Sequence, residues 1–228
     1  MSKFASALES ATVPVIGEIK LRSSAGVALL GDRAVEDVLD AYADNGIGCV
    51  SVVTGRWFGG TADLLPRVTA HTTLPVLQKD FLTRKAQLRT AADHGASAVL
   101  LTAGLLPADV LNRLVDSVLA LGLTPFVEIV DEQELAALRR PEQCVVAVNN
   151  KDIATRERGD GDLNRSVRLL AALRAANVLC AVSASGITSP ADGARLIEAG
   201  YTGLLVGTGL LSSASPGAWL AELRECLR

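Results

Sequence analysis

Histidine is almost missing from this chain, and its two copies, His71 and His94, have no second His or Cys at ligand spacing. That argues against the clustered imidazoles and thiolates of a zinc site, so no metal is expected. Cysteine is sparse as well: Cys49, Cys144, Cys180 and Cys226 form no CxxC pair. Three of them fall inside predicted strands, where a thiol is ordinary core filling and not part of a disulfide framework. Aromatic residues make up only 4% of the 228, so Val, Leu, Ile and Ala must fill the interior. No run of about 18 apolar residues occurs, which argues against a membrane-spanning helix. Met1–Thr12 lacks the apolar centre of a signal peptide, and the expected location is the cytoplasm. Net charge is −3 with no basic stripe to follow a phosphate backbone, so neither nucleic acid nor membrane is an expected partner.

What remains is ample for a core, with 49% hydrophobic and 21% charged residues. Short apolar runs alternate with amphipathic segments at the rhythm of βα units, roughly one every 25 to 30 residues. Eight strands are predicted: Val13–Lys20, Ile47–Thr54, Leu74–Lys79, Ala96–Thr102, Thr124–Val130, Gln143–Val148, Val178–Ala184 and Thr202–Val206. Between them, Ala34–Asn45, Thr83–His94, Pro107–Leu121 and Pro190–Ala199 read as helices that stop at glycine, and Pro216–Leu227 closes the series. Runs such as Val145–Val148 are apolar throughout, as strands covered on both faces are. Eight such units predict an α/β fold, a single (β/α)8 TIM barrel spanning 1–228 as one domain. A doubly wound open sheet is the alternative, weakened because no GxGxxG follows the first strand. The stretch 151–162, alternately basic and acidic, reads as a long polar βα loop near the site.

Charge interrupts three of these strands at one end. Glu18 and Lys20 close the first, Lys79 closes the third, and Glu128 sits near the end of the fifth. Buried charge is costly unless paired or used, and in a barrel the carboxyl-terminal face is where chemistry sits. Residues two apart on a strand share a face, so Glu18 and Lys20 can both point inward. A second ammonium near Lys79 is expected to help it release a proton, and the apolar flanks of Glu128 to make it a better base. Gly207-Thr-Gly209 after the eighth strand and Ala184-Ser-Gly186 after the seventh supply backbone N–H groups where barrels commonly hold phosphate. Ser23 after the first strand could add a hydroxyl. The alternative is an ion-pair network plugging the barrel mouth without catalysis.

The ordered set Glu18-Ile-Lys20, Trp57-Phe-Gly-Gly60, Leu77-Gln-Lys-Asp-Phe81, Val127-Glu128, Val148-Asn-Asn-Lys-Asp152, Ser185-Gly-Ile187 and Val206-Gly207 resembles indole-3-glycerol phosphate synthase from about Val13 to Leu211. The resemblance implies a cofactor-free carboxy-lyase of tryptophan biosynthesis. Such an enzyme closes an indole ring on 1-(2-carboxyphenylamino)-1-deoxyribulose 5-phosphate with loss of carbon dioxide and water. It implies Lys79 as general acid on the ketone oxygen and Glu128 as base in the dehydration. Lys20 would hold the substrate carboxylate, Glu18 would tune that lysine and bind hydroxyls, and Asn149 would bind a polar group. Phe58 and Phe81 would line the aryl pocket, and Ser23, Ser185, Gly186, Gly207 and Thr208 would hold the phosphate, with Lys151 at the site's edge. The implied partner is a sugar phosphate carrying an aromatic amine, with other pathway enzymes as further candidates.

Three departures from the family pattern stand out. Ala184 replaces a glutamate, Lys151 replaces an arginine and so lacks its planar fork, and only about a dozen residues precede the first strand where the family has a longer helical extension. These suggest a specialised paralogue acting on a related arylamino sugar phosphate. Two alternatives stay open: a barrel aldolase forming an imine through Lys79 or Lys20, and an impaired barrel that binds sugar phosphate without turnover.

Overall fold

Eight parallel strands close into a barrel in chain order: β1 (Val13–Ile19), β2 (Ile47–Val53), β3 (Val76–Lys79), β4 (Ala98–Thr102), β5 (Thr124–Ile129), β6 (Val145–Asn149), β7 (Cys180–Ala184) and β8 (Gly203–Val206). The last pairs back onto the first through Val15–Leu204, Ile16–Leu205 and Gly17–Val206. The (β/α)8 barrel expected from the sequence is the fold observed. This computed structural model describes residues 2–151, 161–213 and 215–228, so most of the polar loop expected at 151–162 lies outside the described residues.

Around the barrel run α1 (Lys3–Glu9), α2 (Val35–Asp44), α3 (Leu64–His71), α4 (Lys85–Asp93), α5 (Ala108–Ala120), α6 (Glu132–Ala136), α7 (Leu163–Ala175), α8 (Pro190–Ala199), α9 (Thr208–Leu211) and α10 (Pro216–Cys226). Their starts are locally encoded. Ser189 and Ser215 accept N–H bonds from Asp192 and Ala218 in the first turns of α8 and α10, each of which begins with proline. The apolar stripe of α2 (Val35, Val38, Leu39, Tyr42) is buried against the barrel. Strands β3, β4, β6, β7 and β8 start one or two residues later than expected, β3 and β6 of them beside proline. Pro75 has no N–H to give a ladder, so β3 begins at Val76, and Pro141–Gln143 forms a 3-10 turn ahead of β6. That turn also leaves Cys144 just outside the strand that was expected to contain it.

Two apolar layers result from strand alternation. Outward side chains such as Val50, Val99, Val127 and Val146 pack under the helices, while Ile16, Cys49, Leu77, Phe126, Ala147, Val182 and Leu205 fill the barrel. At the amino-terminal end the barrel is plugged by α1, a helix the sequence reading did not anticipate. Phe4 and Leu8 are fully buried in that interior cluster, and Phe4 meets Phe126 edge to face at 6.2 Å. Two strand glycines make room for it. A Cβ on Gly48 would stand 2.8 Å from the Leu8 Cα, and one on Gly203 would stand 2.7 Å from the Leu8 side chain. With that end closed by apolar contact, the inward polar groups collect at the other.

Candidate active site

Glu18 is the hub of the carboxyl-terminal mouth. Gly17, lacking a side chain, lets the Tyr42 ring lie on β1, and the Tyr42 hydroxyl donates to the Glu18 carbonyl at 3.2 Å. The Glu18 side chain projects the other way, into the mouth. Its Oε1 lies 2.9 Å from Lys20 Nζ and its Oε2 lies 3.3 Å from Lys79 Nζ. Burial alone would push this carboxyl up, but the two ammonium groups outweigh it and lower the pKa to about 2. The lysines were expected to act on each other directly. The structure instead puts a carboxylate between them, which offsets their repulsion and fixes both nitrogens. Lys20 also lies over the Phe58 ring, 5.3 Å from its centroid.

One cleft opens on the two lysines from the side of β2 and β3. It is lined by Lys20, Lys79 and Glu128 together with Trp57, Phe58 and Phe81. Trp57 and Phe81 form its rim, exposed and edge to face at 5.1 Å. Asp80 holds that rim in place: it accepts from the Phe81 N–H at 2.8 Å and from the Thr54 hydroxyl at 2.9 Å, tying the loop after β3 to the end of β2. The loop carrying Trp57 returns through Gly59, in the left-handed region at φ 77°, and Gly60, where a Cβ would meet the Thr54 backbone at 2.4 to 2.5 Å. Such a cleft can take a flat apolar ring and offer it an ammonium group at each inner corner.

A second cleft lies on the other side of the same lysines. Glu18, Lys20, Lys79 and Lys151 line it with Ser185, Gly186, Gly207, Thr208 and neighbouring backbone. The loops after β7 and β8 are pressed together here, since a Cβ on Gly209 would stand 2.6 Å from the Ile187 carbonyl. Trp219 Nε1 donates to Thr188 O at 3.2 Å, and Arg33 donates to Leu211 O, bracing the far sides of both loops. Three lysines around glycine-rich backbone make an anion seat.

Of the residues singled out from the sequence, Lys20, Lys79, Glu128, Phe58 and Phe81 meet in the first cleft. Glu18, Lys151, Ser185, Gly186, Gly207 and Thr208 meet with the same two lysines in the second. Two are placed elsewhere. Ser23 lines neither cleft, because its hydroxyl accepts the Val27 N–H at 3.2 Å and closes a turn of its own loop. Asn149 is fully buried and lines neither cleft; its Oδ1 accepts the Lys151 N–H at 2.9 Å, while its Nδ2 has no hydrogen-bond partner among the described residues. Trp57 and Asp80 were not assigned roles, although each adjoins a residue that was.

A sequence model described as indole-3-glycerol phosphate synthase matches residues 1–223. The chain belongs to the indole-3-glycerol phosphate synthase family. An indole-3-glycerol phosphate synthase of Pyrococcus furiosus is 35% identical over 213 residues, covering 93% of this chain and 92% of the relative. Synthases of a Polaromonas species and of Mycolicibacterium smegmatis are each 34% identical, over 210 and 220 residues, covering 92% and 95% of this chain and 78% of each relative. Against this synthase family, the departure at the tip of β7 now has a location. Ala184 is buried, in register with Asn149 on β6 and Leu205 on β8. Among the described residues no group of three or more His, Cys, Asp or Glu is placed to hold a metal ion, and no helix is long and apolar enough to cross a membrane.

Proposed function

We propose that this chain is an indole-3-glycerol phosphate synthase. It would act on 1-(2-carboxyphenylamino)-1-deoxyribulose 5-phosphate or a closely related arylamino sugar phosphate. The observation that carries this reading is that an aromatic-rimmed cleft and an anion cleft meet at Lys20 and Lys79. A substrate with an aryl ring at one end and a phosphate at the other places its ketone between them.

The aryl ring lies against Phe58, Phe81 and Trp57, with its carboxylate toward Lys20. The phosphate sits on the Ser185–Gly186 and Gly207–Thr208 backbone near Lys151. The ring carbon bearing the carboxylate attacks the ketone carbon, and Lys79 delivers a proton to the ketone oxygen. Carbon dioxide leaves without the electron pair of its bond to the ring, and that pair stays behind to restore the ring's aromaticity. The new hydroxyl then takes a second proton from one of the two lysine ammonium groups and departs as water, while Glu128 takes up the proton lost from the neighbouring carbon. No redox partner enters this balance. Glu18 holds both ammonium groups in their places throughout, an arrangement suited to charged proton donors and not to the neutral amine an imine needs.

Ala184 favours the related-substrate form of this reading, since it puts a methyl group where the resemblance implies a carboxylate, beside the Asn149 Nδ2 that has no hydrogen-bond partner among the described residues. Mass spectrometry of the product tests the assignment: it predicts loss of one carbon dioxide and one water from the substrate, with no adduct on borohydride treatment. A lysine adduct would point to the aldolase, and an unchanged substrate to a barrel that only binds.

A further inference from the structure

Asn150 lines neither cleft and is 2% exposed, yet it ties the loop after β7, at the anion seat, to the start of α7. Its amide nitrogen lies within 3.0 Å of Ser183 Oγ and of Ala184 O, and 3.1 Å from Ser185 O, so two N–H groups serve three acceptors. Its amide oxygen accepts from Ser166 Oγ at 2.8 Å and from Ser166 N at 3.3 Å. The Asn150 N–H donates to Ala184 O at 2.9 Å, and its carbonyl accepts from Asp162 N at 2.8 Å. The knot extends further: the Ser166 and Ser183 hydroxyls are 2.8 Å apart, and the Tyr201 hydroxyl donates to Ser166 O at 2.8 Å.

The segment this knot grips is the conformationally demanding one. Ser185 has φ 66°, a left-handed conformation that residues with a Cβ seldom adopt, and Gly186 follows at φ 76°. The two carbonyls bonded by the Asn150 amide are those of Ala184 and Ser185, on either side of that turn's entry. On its other flank the turn rests on Gly161, whose Cβ, if it had one, would stand 2.7 Å from Gly186 Cα. Ser185, Gly186 and Lys151 all line the anion cleft, and Asn150 is bonded to Ser185 and adjacent in sequence to Lys151.

We propose that Asn150 is a positioning residue for the phosphate end of the substrate. It holds the Ser185–Gly186 turn in its left-handed form, and it acts through that turn without touching a reacting atom. This rests on reading the anion cleft as the phosphate seat.

The test combines binding of inorganic phosphate, followed by titration calorimetry, with steady-state kinetics on the carboxyphenylamino sugar phosphate. Asn150→Asp keeps the shape and the acceptor for Ser166 but removes both N–H groups. It should raise KM about tenfold or more with kcat within about threefold, the pattern of lost binding that is common to ground and transition states. Phosphate affinity should fall in parallel. In a Ser185→Gly background, where glycine takes φ 66° unaided, the same change should raise KM by less than about threefold. That rescue is what a general packing role would not produce. If Asn150→Asp does not fold, Ser166→Ala, which removes the hydroxyl that donates to the Asn150 amide oxygen and orients the amide, should raise KM in the same direction without lowering kcat. Wild-type protein that binds no inorganic phosphate overturns the phosphate seat and this inference with it. Wild type that binds phosphate, beside a folded variant that binds it equally well or loses only kcat, overturns the positioning role alone.

Discussion

Glu18 and Gly207 share one space: the Glu18 Oε1 atom stands where a side chain on Gly207 would begin. The glycine after β8 thus admits the carboxylate that pairs both lysines, besides shaping the anion cleft.

Gly207→Ala should therefore displace Glu18 and with it Lys20 and Lys79. Turnover is expected to fall by about a hundredfold, as a misplacement on the order of 1 Å can cause. Steady-state kinetics and a thermal melt check this together, since the fold should survive. Full activity in Gly207→Ala would mean that the Glu18 geometry is not needed.

Glu18 also makes stability depend on pH. Its folded pKa of about 2 lies below the ordinary 4.5, so its contribution is present above about pH 4.5 and is lost as pH falls toward about 2. The size is on the order of 3 kcal/mol, because one pKa unit corresponds to about 1.4 kcal/mol. Urea unfolding near pH 6 and near pH 3 measures it. Glu18→Gln should be less stable near pH 6 and should lose this part of the acid sensitivity.

Phe4→Ala removes a fully buried ring from the barrel's plugged end, where it meets Phe126. The expected loss is about 3 to 5 kcal/mol. At a temperature where the variant stays folded, kcat should be unchanged, because Phe4 lies at the end opposite the two clefts. A reduced kcat in folded Phe4→Ala would show that the plug influences the chemistry.

The barrel was legible because each strand is short, apolar and bounded by glycine or proline, a signal that needs no tertiary information. Glu18 and Lys20 were legible for the same reason, since alternation alone sends both inward. Helix α1 was not: seven residues with Phe4, Ala5 and Leu8 as the apolar set are too short to show a period, and only the barrel interior gives them a reason to order. The doublet Asn149-Asn150 shows another limit. Sequence reading singled out Asn149, which is buried at the end of β6, and gave no sign that Asn150, one step on, reaches Ser166 and Ser183. The partner of Ser23 was not legible either, because a hydroxyl can bond within its own turn, as Ser23 does with the Val27 N–H.

Ala184→Glu places a carboxylate at the tip of β7, beside the Asn149 Nδ2 that has no partner among the described residues. If the preferred substrate is the carboxyphenylamino sugar phosphate itself, kcat/KM should rise by about tenfold to a hundredfold, the scale of one well-placed polar group in a transition state. A folded variant with lower kcat/KM would show that Ala184 suits a different aryl group, and a panel of arylamines would then identify it.

The most direct test is indole fluorescence as the carboxyphenylamino deoxyribulose phosphate is mixed with wild type and with Lys79→Ala. Wild type should generate product emission steadily. Lys79→Ala should lose about a hundredfold to ten-thousandfold of that rate, the contribution of a positioned general acid, while still binding inorganic phosphate. Equal rates in the two proteins would contradict the account, because the ring closure proposed here depends on the proton that Lys79 supplies.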